Sequence, residues 1–178
     1  ILIALGLSIG FKANVWNIGA EGQYIMGAIF GASFALSLYP LESSFIFPIM
    51  VLMGILGGSL WSMIPALLKV KFNVNEILVS LMLVYVAEQI LALASLGFLR
   101  NPDGAGFPGS RNLSQYSSAS NSELIMGTGI HLGVLLSLLM VVFFYVLLFR
   151  HSLGFKIKLL GNSPKASGFS GDNPNKLI

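Results

Sequence analysis

Charge is scarce in this chain, and cysteine is absent. Of its 178 residues, 10% are charged and 55% are hydrophobic, whereas an ordinary soluble domain carries about 25% charged residues. That deficit excludes a fully water-solvated fold and implies a chain solvated by lipid. Without cysteine, disulfides, thiolate metal sites and cysteine nucleophiles are ruled out. The two histidines, His131 and His151, are expected a membrane apart, so no metal site and no cofactor are expected. No HExxH, Walker or GxSxG motif and no intramembrane aspartate pair occurs, which argues against an enzyme. The net charge of +3 comes without a basic stripe interleaved with aromatics, so nucleic acid is not an expected partner.

What is present is a series of long apolar runs. A helix needs about 20 apolar residues to cross a bilayer. Four spans are expected, over residues 25–39, 45–68, 77–99 and 126–149, with 20–23 as a polar approach to the first. Ile1 to Gly10 reads as the tail of a further span or a half-helix. The fold class is therefore all-α, a polytopic transmembrane helical bundle forming one domain. Ile1 opens inside an apolar run and Lys176-Leu177-Ile178 resembles the start of another, so the chain reads as a fragment of a longer membrane subunit. Gly27 with Gly31, Gly54 with Gly58 and Gly129 with Gly133 have the spacing that brings helices close.

Loop charge sets the orientation. Lys12, Lys69, Lys71, Arg150, Lys156, Lys158, Lys165 and Lys176 lie in one set of loops, against Glu21, Glu76 and Asp172. The opposite set holds Arg100 and Arg111 against Glu42, Asp103 and Glu123. Basic loops stay in the cytoplasm, so residues 150–176 face in and residues 100–123 face out. In intact cells, an impermeant thiol reagent should label Ser114→Cys and spare Lys165→Cys. Labelling of Lys165→Cys with protection of Ser114→Cys would reverse the orientation.

Two places invite chemistry. Glu88 sits in the middle of the 77–99 run, where an acid facing lipid is costly and usually marks a polar path. An interhelical hydrogen bond, to Gln89 or a neighbouring serine, or a protonated structural acid is the alternative. The polar stretch Asn14 to Gln23 contains Asn17, Glu21 and Gln23 together with Gly19 and Gly22. If helical, Asn14, Asn17 and Glu21 share one face. Glycines there weaken a helix, and broken helices hold polar solutes in transporters. An interfacial turn anchored by Trp16, with Asn17 capping the next helix, is the alternative. Asn75 and Glu76 read as a helix start. In the long inner segment, Asn162-Ser163-Pro164 signals a short helix over 164–170; a connector lying on the membrane surface is the alternative.

These residues resemble a known family. Asn17-Ile18-Gly19-Ala20-Glu21-Gly22-Gln23 followed by Met26-Gly27-Ala28 is similar to a signature of permease subunits of bacterial ABC importers for simple sugars and nucleosides. Asn75-Glu76-Ile77 through Leu83 resembles a second signature, with Val84 where Asn is common. Asn101-Pro102-Asp103-Gly104 and Phe107-Pro108-Gly109-Ser110 are similar to an outer loop of one branch. Gly154, Lys156, Gly161, Asn162, Pro164, Ala166 and Gly171 resemble the loop that couples such permeases to their ATPase, with Ser167 and Asp172 departing from the pattern. The resemblance implies a multi-pass inner-membrane transport subunit and a solute pathway touching Asn17, Glu21, Gln23 and Glu88. It implies four partners: a cytoplasmic ABC ATPase, a second permease subunit, an extracytoplasmic solute-binding protein and the lipid bilayer. The alternatives are an ABC permease for branched-chain amino acids, an ion-coupled secondary carrier using Glu88, and a purely structural membrane subunit.

Overall fold

The computed structural model describes residues 1–105, 107, 109–121, 123–125, 127–163 and 167–168. Six α-helices occur among them: α1 (Leu2–Lys12), α2 (Ala20–Ser37), α3 (Ile46–Phe72), α4 (Glu76–Leu96), α5 (Leu132–Phe149) and α6 (Ser152–Asn162). A short antiparallel hairpin joins β1 (Glu123–Ile125) to β2 (Ile130–His131). Helices α3, α4 and α5, of 27, 21 and 18 residues, are long and apolar enough to cross a membrane. Their large apolar side chains point outward: Leu52, Ile55 and Leu56 on α3 and Leu139 and Val142 on α5 are all more than half exposed. In water such surfaces would aggregate; in lipid they are solvated.

Element boundaries depart from the sequence reading in physically instructive ways. Helix α2 begins at Ala20, so residues 20–23 belong to the helix and are not an approach to it. Helix α5 begins only at Leu132; residues 127–131 of the expected span precede it, and there Gly127 and Gly129 take φ of 81° and 67°. Gly129 therefore serves a turn, and a Cβ on Gly133 would meet nothing within 4 Å, so this glycine pair does not bring helices together. The inner segment expected as loop from Arg150 contains α6. The short helix expected over 164–170 lies mostly outside the described residues.

The chain divides into two compact units, the boundary within α3 falling after Pro65. The second unit comprises residues 19–65 and 78–121. Within it, α2 and α3 meet through glycine: a Cβ on Gly27 would stand 2.9 Å from the Gly54 carbonyl oxygen, and one on Gly57 would stand 2.7 Å from Phe30. Met26, Ile29, Ala87, Ala94 and Leu99 form its core. The outer loop is strapped down by Tyr116, whose hydroxyl donates to the carbonyls of Leu41 and Leu38. Burial, aided by nearby Glu42 and Tyr39, raises the Tyr116 phenol above the usual tyrosine range, so it remains a neutral donor. Arg111 pairs with Asp103 at 2.9 Å and lies 4.3 Å from the centre of the Tyr39 ring. The first unit comprises residues 1–18, 66–77 and 122–178, with α1, α5 and α6 packed together.

Candidate functional site

Helix α4 shows why Glu88 is unusual. It is the thirteenth of the helix's 21 residues. Ser80, Val84, Ala87 and Ala94 are buried and make the inward stripe. Leu81, Tyr85, Glu88 and Ala92, spaced to share a face, are all exposed. The Glu88 side chain makes no hydrogen bond or ion pair with any described residue. The alternative partners, Gln89 or a nearby serine, do not engage it. Contact with lipid is costly for an acid at this depth.

The start of α2 is held against the same helix. A Cβ on Gly22 would lie 3.1 Å from Val84 Cα, 3.2 Å from the Leu83 carbonyl oxygen and 3.3 Å from Trp61 Nε1. A side chain there would be tight, and α2 enters with Gly22 buried and Glu21 and Tyr24 exposed. Gln23 is half-buried, and its backbone N–H donates to the Gly19 carbonyl at 3.1 Å. Trp61 Nε1 is buried and has no hydrogen-bond partner among the described residues.

The two tyrosines were not anticipated from sequence. Tyr24 stands three residues after Glu21, and Tyr85 three before Glu88, so each acid has an exposed aromatic one turn away on its own helix face. The signal that could have shown this was the i, i+3 spacing of acid and tyrosine.

Asn17 lies in the first unit, in the irregular segment 13–19. That segment is not helical: Asn14 takes φ of 58°, and Val15 N–H returns to the Gly10 carbonyl at 2.9 Å. Asn14, Asn17 and Glu21 therefore do not share a helix face. Gly19, not Asn17, holds the N-cap position of α2, and no side chain caps it. Trp16 is half exposed, its ring centre 5.0 Å from that of Phe11 and tilted by 36°, and its Nε1 donates to Asn14 Oδ1 at 3.2 Å.

The inner face is built by α6. His151 accepts from the Leu153 amide at 3.1 Å and caps the helix. A Cβ on Gly154 would come within 2.3 Å of the Leu147 carbonyl oxygen and 2.5 Å of that of Leu148. A Cβ on Gly161 would lie 2.1 Å from the Lys12 carbonyl oxygen. Both glycines thus serve contact with the chain's own backbone, fixing α6 to α5 at one end and to the end of α1 at the other. Lys156 is half-buried and engaged, Lys158 sits 4.1 Å from the centre of the Phe149 ring, and Asn162 is exposed. Pro164, Ala166 and Gly171 lie outside the described residues. Among the described residues no group of three potential metal ligands occurs.

Comparison with known proteins matches residues 1–178 to the family described as branched-chain amino acid transport system / permease component. The glucose ABC transporter permease protein TsgB13 of Haloferax volcanii is 31% identical over 96% of this chain and 47% of its own length. The nucleoside ABC transporter permease protein NupB of Lactococcus lactis is 27% identical over 100% of this chain and 50% of its own. The guanosine ABC transporter permease protein NupP of Bacillus subtilis is 26% identical over 100% and 51%. The chain spans about half the length of these curated relatives. No solved structure matches it.

Proposed function

Because the chain belongs to the family of branched-chain amino acid transport system permease components, a family of multi-pass membrane proteins, we propose that it forms part of the solute pathway of an ATP-driven importer for nucleosides or simple sugars. The observation that carries this reading is the exposed, unpartnered Glu88 in the middle of an apolar helix, with Tyr85 one turn before it. A carboxylate accepts hydrogen bonds from sugar hydroxyls, and an adjacent aromatic offers an apolar face to a ring. Glu21 with Tyr24 repeats the pattern on α2. Asn17 and Gln23 belong to the same proposed pathway as polar groups at the entrance to α2.

The names of the relatives, glucose, nucleoside and guanosine permeases, favour hydroxyl-rich solutes over branched-chain amino acids, although the family description names the latter. An amino-acid carboxylate would also meet acids at Glu21 and Glu88. The ion-coupled carrier and the purely structural subunit gain no support from these relatives.

ATP hydrolysis is assigned to a partner subunit. A second permease subunit and an extracytoplasmic binding protein complete the proposed machine. The inner segment beginning with α6 is the surface on which an ATPase would act, its rigid seating on α5 and α1 passing motion to the spans. Of the residues resembling the family's coupling segment, Gly154 and Gly161 support that seating; Lys156, Asn162, Pro164, Ala166 and Gly171 are proposed to face or shape the partner contact.

Ala166→Pro in the complete permease tests this. A second proline removes a donor and clashes with the preceding turn. Solute-stimulated ATP hydrolysis and uptake should both fall at least tenfold, a loss of about 1.4 kcal/mol or more in coupling. Binding of the loaded solute-binding protein to the outer face should persist. Retained ATPase association and full stimulation would make residues 161–171 an ordinary connector.

A further inference from the structure

Helix α2 ends without a glycine to turn the chain: Leu38 closes it in ordinary right-handed geometry. The last carbonyls of a helix have no partner within it, so the turn from α2 to α3 takes donors from elsewhere. Within the second unit they come from far along the chain. The Tyr116 hydroxyl donates to the Leu41 carbonyl and lies 3.4 Å from that of Leu38. Two residues on, Ser118 Oγ accepts from the Ser43 amide at 3.1 Å, just before α3 begins at Ile46. Tyr116 thus meets the end of α2, and Ser118 the approach to α3. The grip also has an apolar body. Tyr116 and Ala119 are buried together with Ala35 of α2 and Ile46 of α3, and the Tyr39 and Tyr116 rings meet edge to face, 5.3 Å between centres. The gripping segment is itself fixed, since the Ala119 and Ser120 amides donate to the Tyr116 carbonyl at 2.9 and 2.8 Å.

Loop charge assigns this clamp to the outside, the face that meets an extracytoplasmic solute-binding protein under the transport reading. A loop there is either a lid that lifts at each turnover or a fixed platform. Lids are drawn from weakly held segments with few buried apolar contacts, and this one is held by buried side chains and by hydrogen bonds to both ends of a helical turn. We propose that Tyr116 and Ser118 form a clamp that stays shut through the transport cycle and makes residues 111–119 a fixed seat for the binding protein, with Tyr116 as a positioning residue. The clamp also places a charge. Asp103, 77% exposed, is paired with Arg111 at 2.9 Å, and Arg111 lies over the ring of Tyr39, which packs on Tyr116. The carboxylate is thereby held relative to the end of α2, where it offers acceptors to a basic side chain of the partner. This inference rests on the transport reading above and adds residues that neither the pathway nor the coupling segment includes.

Three measurements on the complete permease test it. The first, amide hydrogen exchange in detergent, needs no partner. Ser118→Ala should speed exchange at the Ser43 amide about three- to tenfold, and Tyr116→Phe, which keeps the ring and its packing, should do the same at Leu41 and Ser43. Exchange unchanged in both variants would mean that no clamp exists. The second is uptake into proteoliposomes with the co-purified ATPase, titrated with loaded solute-binding protein. Tyr116→Phe should raise the half-saturating concentration of that protein about three- to tenfold while the maximal rate stays within about twofold, the mark of a lost docking contribution. A fall in maximal rate with unchanged half-saturation would overturn the seat. The third separates platform from lid. The 3.1 Å contact holds the α-carbons of Ser43 and Ser118 within about 7 Å, so in Ser43→Cys/Ser118→Cys a disulfide or a short bis-thiol reagent can lock the clamp. The locked protein should transport within about twofold of its reduced form. Loss of uptake on locking, restored by a reductant that opens the disulfide, would make the segment a lid and sink the proposal. A wild-type permease that responds to no binding protein would defeat the transport reading itself, whereas a responsive wild type matched by Tyr116→Phe would defeat only the clamp.

Discussion

Gly154→Ala should detach α6 from the helix it rests on. The added methyl would sit 2.3 Å from the Leu147 carbonyl oxygen and 2.5 Å from that of Leu148. Those are backbone atoms at the end of α5, so no side chain can swing aside. Relief requires moving α6 or unwinding the last turn of α5, where Arg150 and His151 both donate to the Val146 carbonyl. Overpacking of this kind costs about 1–3 kcal/mol. The α5 span itself should survive, because its stability comes from its own apolar length and not from α6. The expected result is a protein that inserts normally but melts earlier in detergent, with protease cutting near residues 150–152. Solute-stimulated ATP hydrolysis should fall with it. Lys158→Ala, which removes only an interfacial cation–π contact worth about 0.5–1 kcal/mol, should have a much smaller effect on both. Equal melting of Gly154→Ala and wild type would mean that α6 is not seated as described.

The same glycines show where sequence reasoning reached its limit. Gly154 and Gly161, with Lys156 and Lys158 between them, read as loop because glycine and charge lower helix preference. The helix forms nonetheless, because tertiary contact at both glycines outweighs local propensity. The hairpin at 123–131 was hidden for the opposite reason. Its isoleucines and leucine extend the apolar run of α5, and only the positive φ of Gly127 and Gly129 separates turn from span. By contrast, the helix start at Asn75 was legible, since an Asn followed by an acid before an apolar run has one local meaning. The glycine contacts between α2 and α3 were legible as spacing in Gly27 and Gly54, while their partners were not. For the candidate site, Glu88 stood out by chemistry alone. The inward stripe at Ser80, Val84, Ala87 and Ala94 could not be read from hydropathy, because a membrane helix is apolar on both faces.

That stripe frames the test of Glu88, for which three environments predict three outcomes. If the outward face meets lipid, Glu88→Leu should stabilise the protein, because a mid-depth acid costs about 2.5–3.5 kcal/mol to insert, and uptake should be unaffected. If Glu88 is a structural hydrogen-bonding group at a contact with another subunit, Glu88→Gln should keep assembly and uptake while Glu88→Leu breaks up the complex. If it accepts hydrogen bonds from solute hydroxyls in the pathway, both variants should assemble and both should lose uptake. Glu88→Gln exchanges a charged acceptor for a neutral one. A hydrogen bond to a charged group is worth about 1.5–3 kcal/mol, so transport should fall about ten- to hundredfold, most sharply for solutes rich in hydroxyls. Tyr85→Phe, which keeps the ring and removes only the hydroxyl, should reduce uptake less than Tyr85→Ala if the ring face is what a solute meets. The expected outcome is the third pattern, measured as solute uptake in proteoliposomes alongside complex assembly on size exclusion. Wild-type uptake kinetics in Glu88→Gln would remove Glu88 from the pathway and leave the acid as a structural contact.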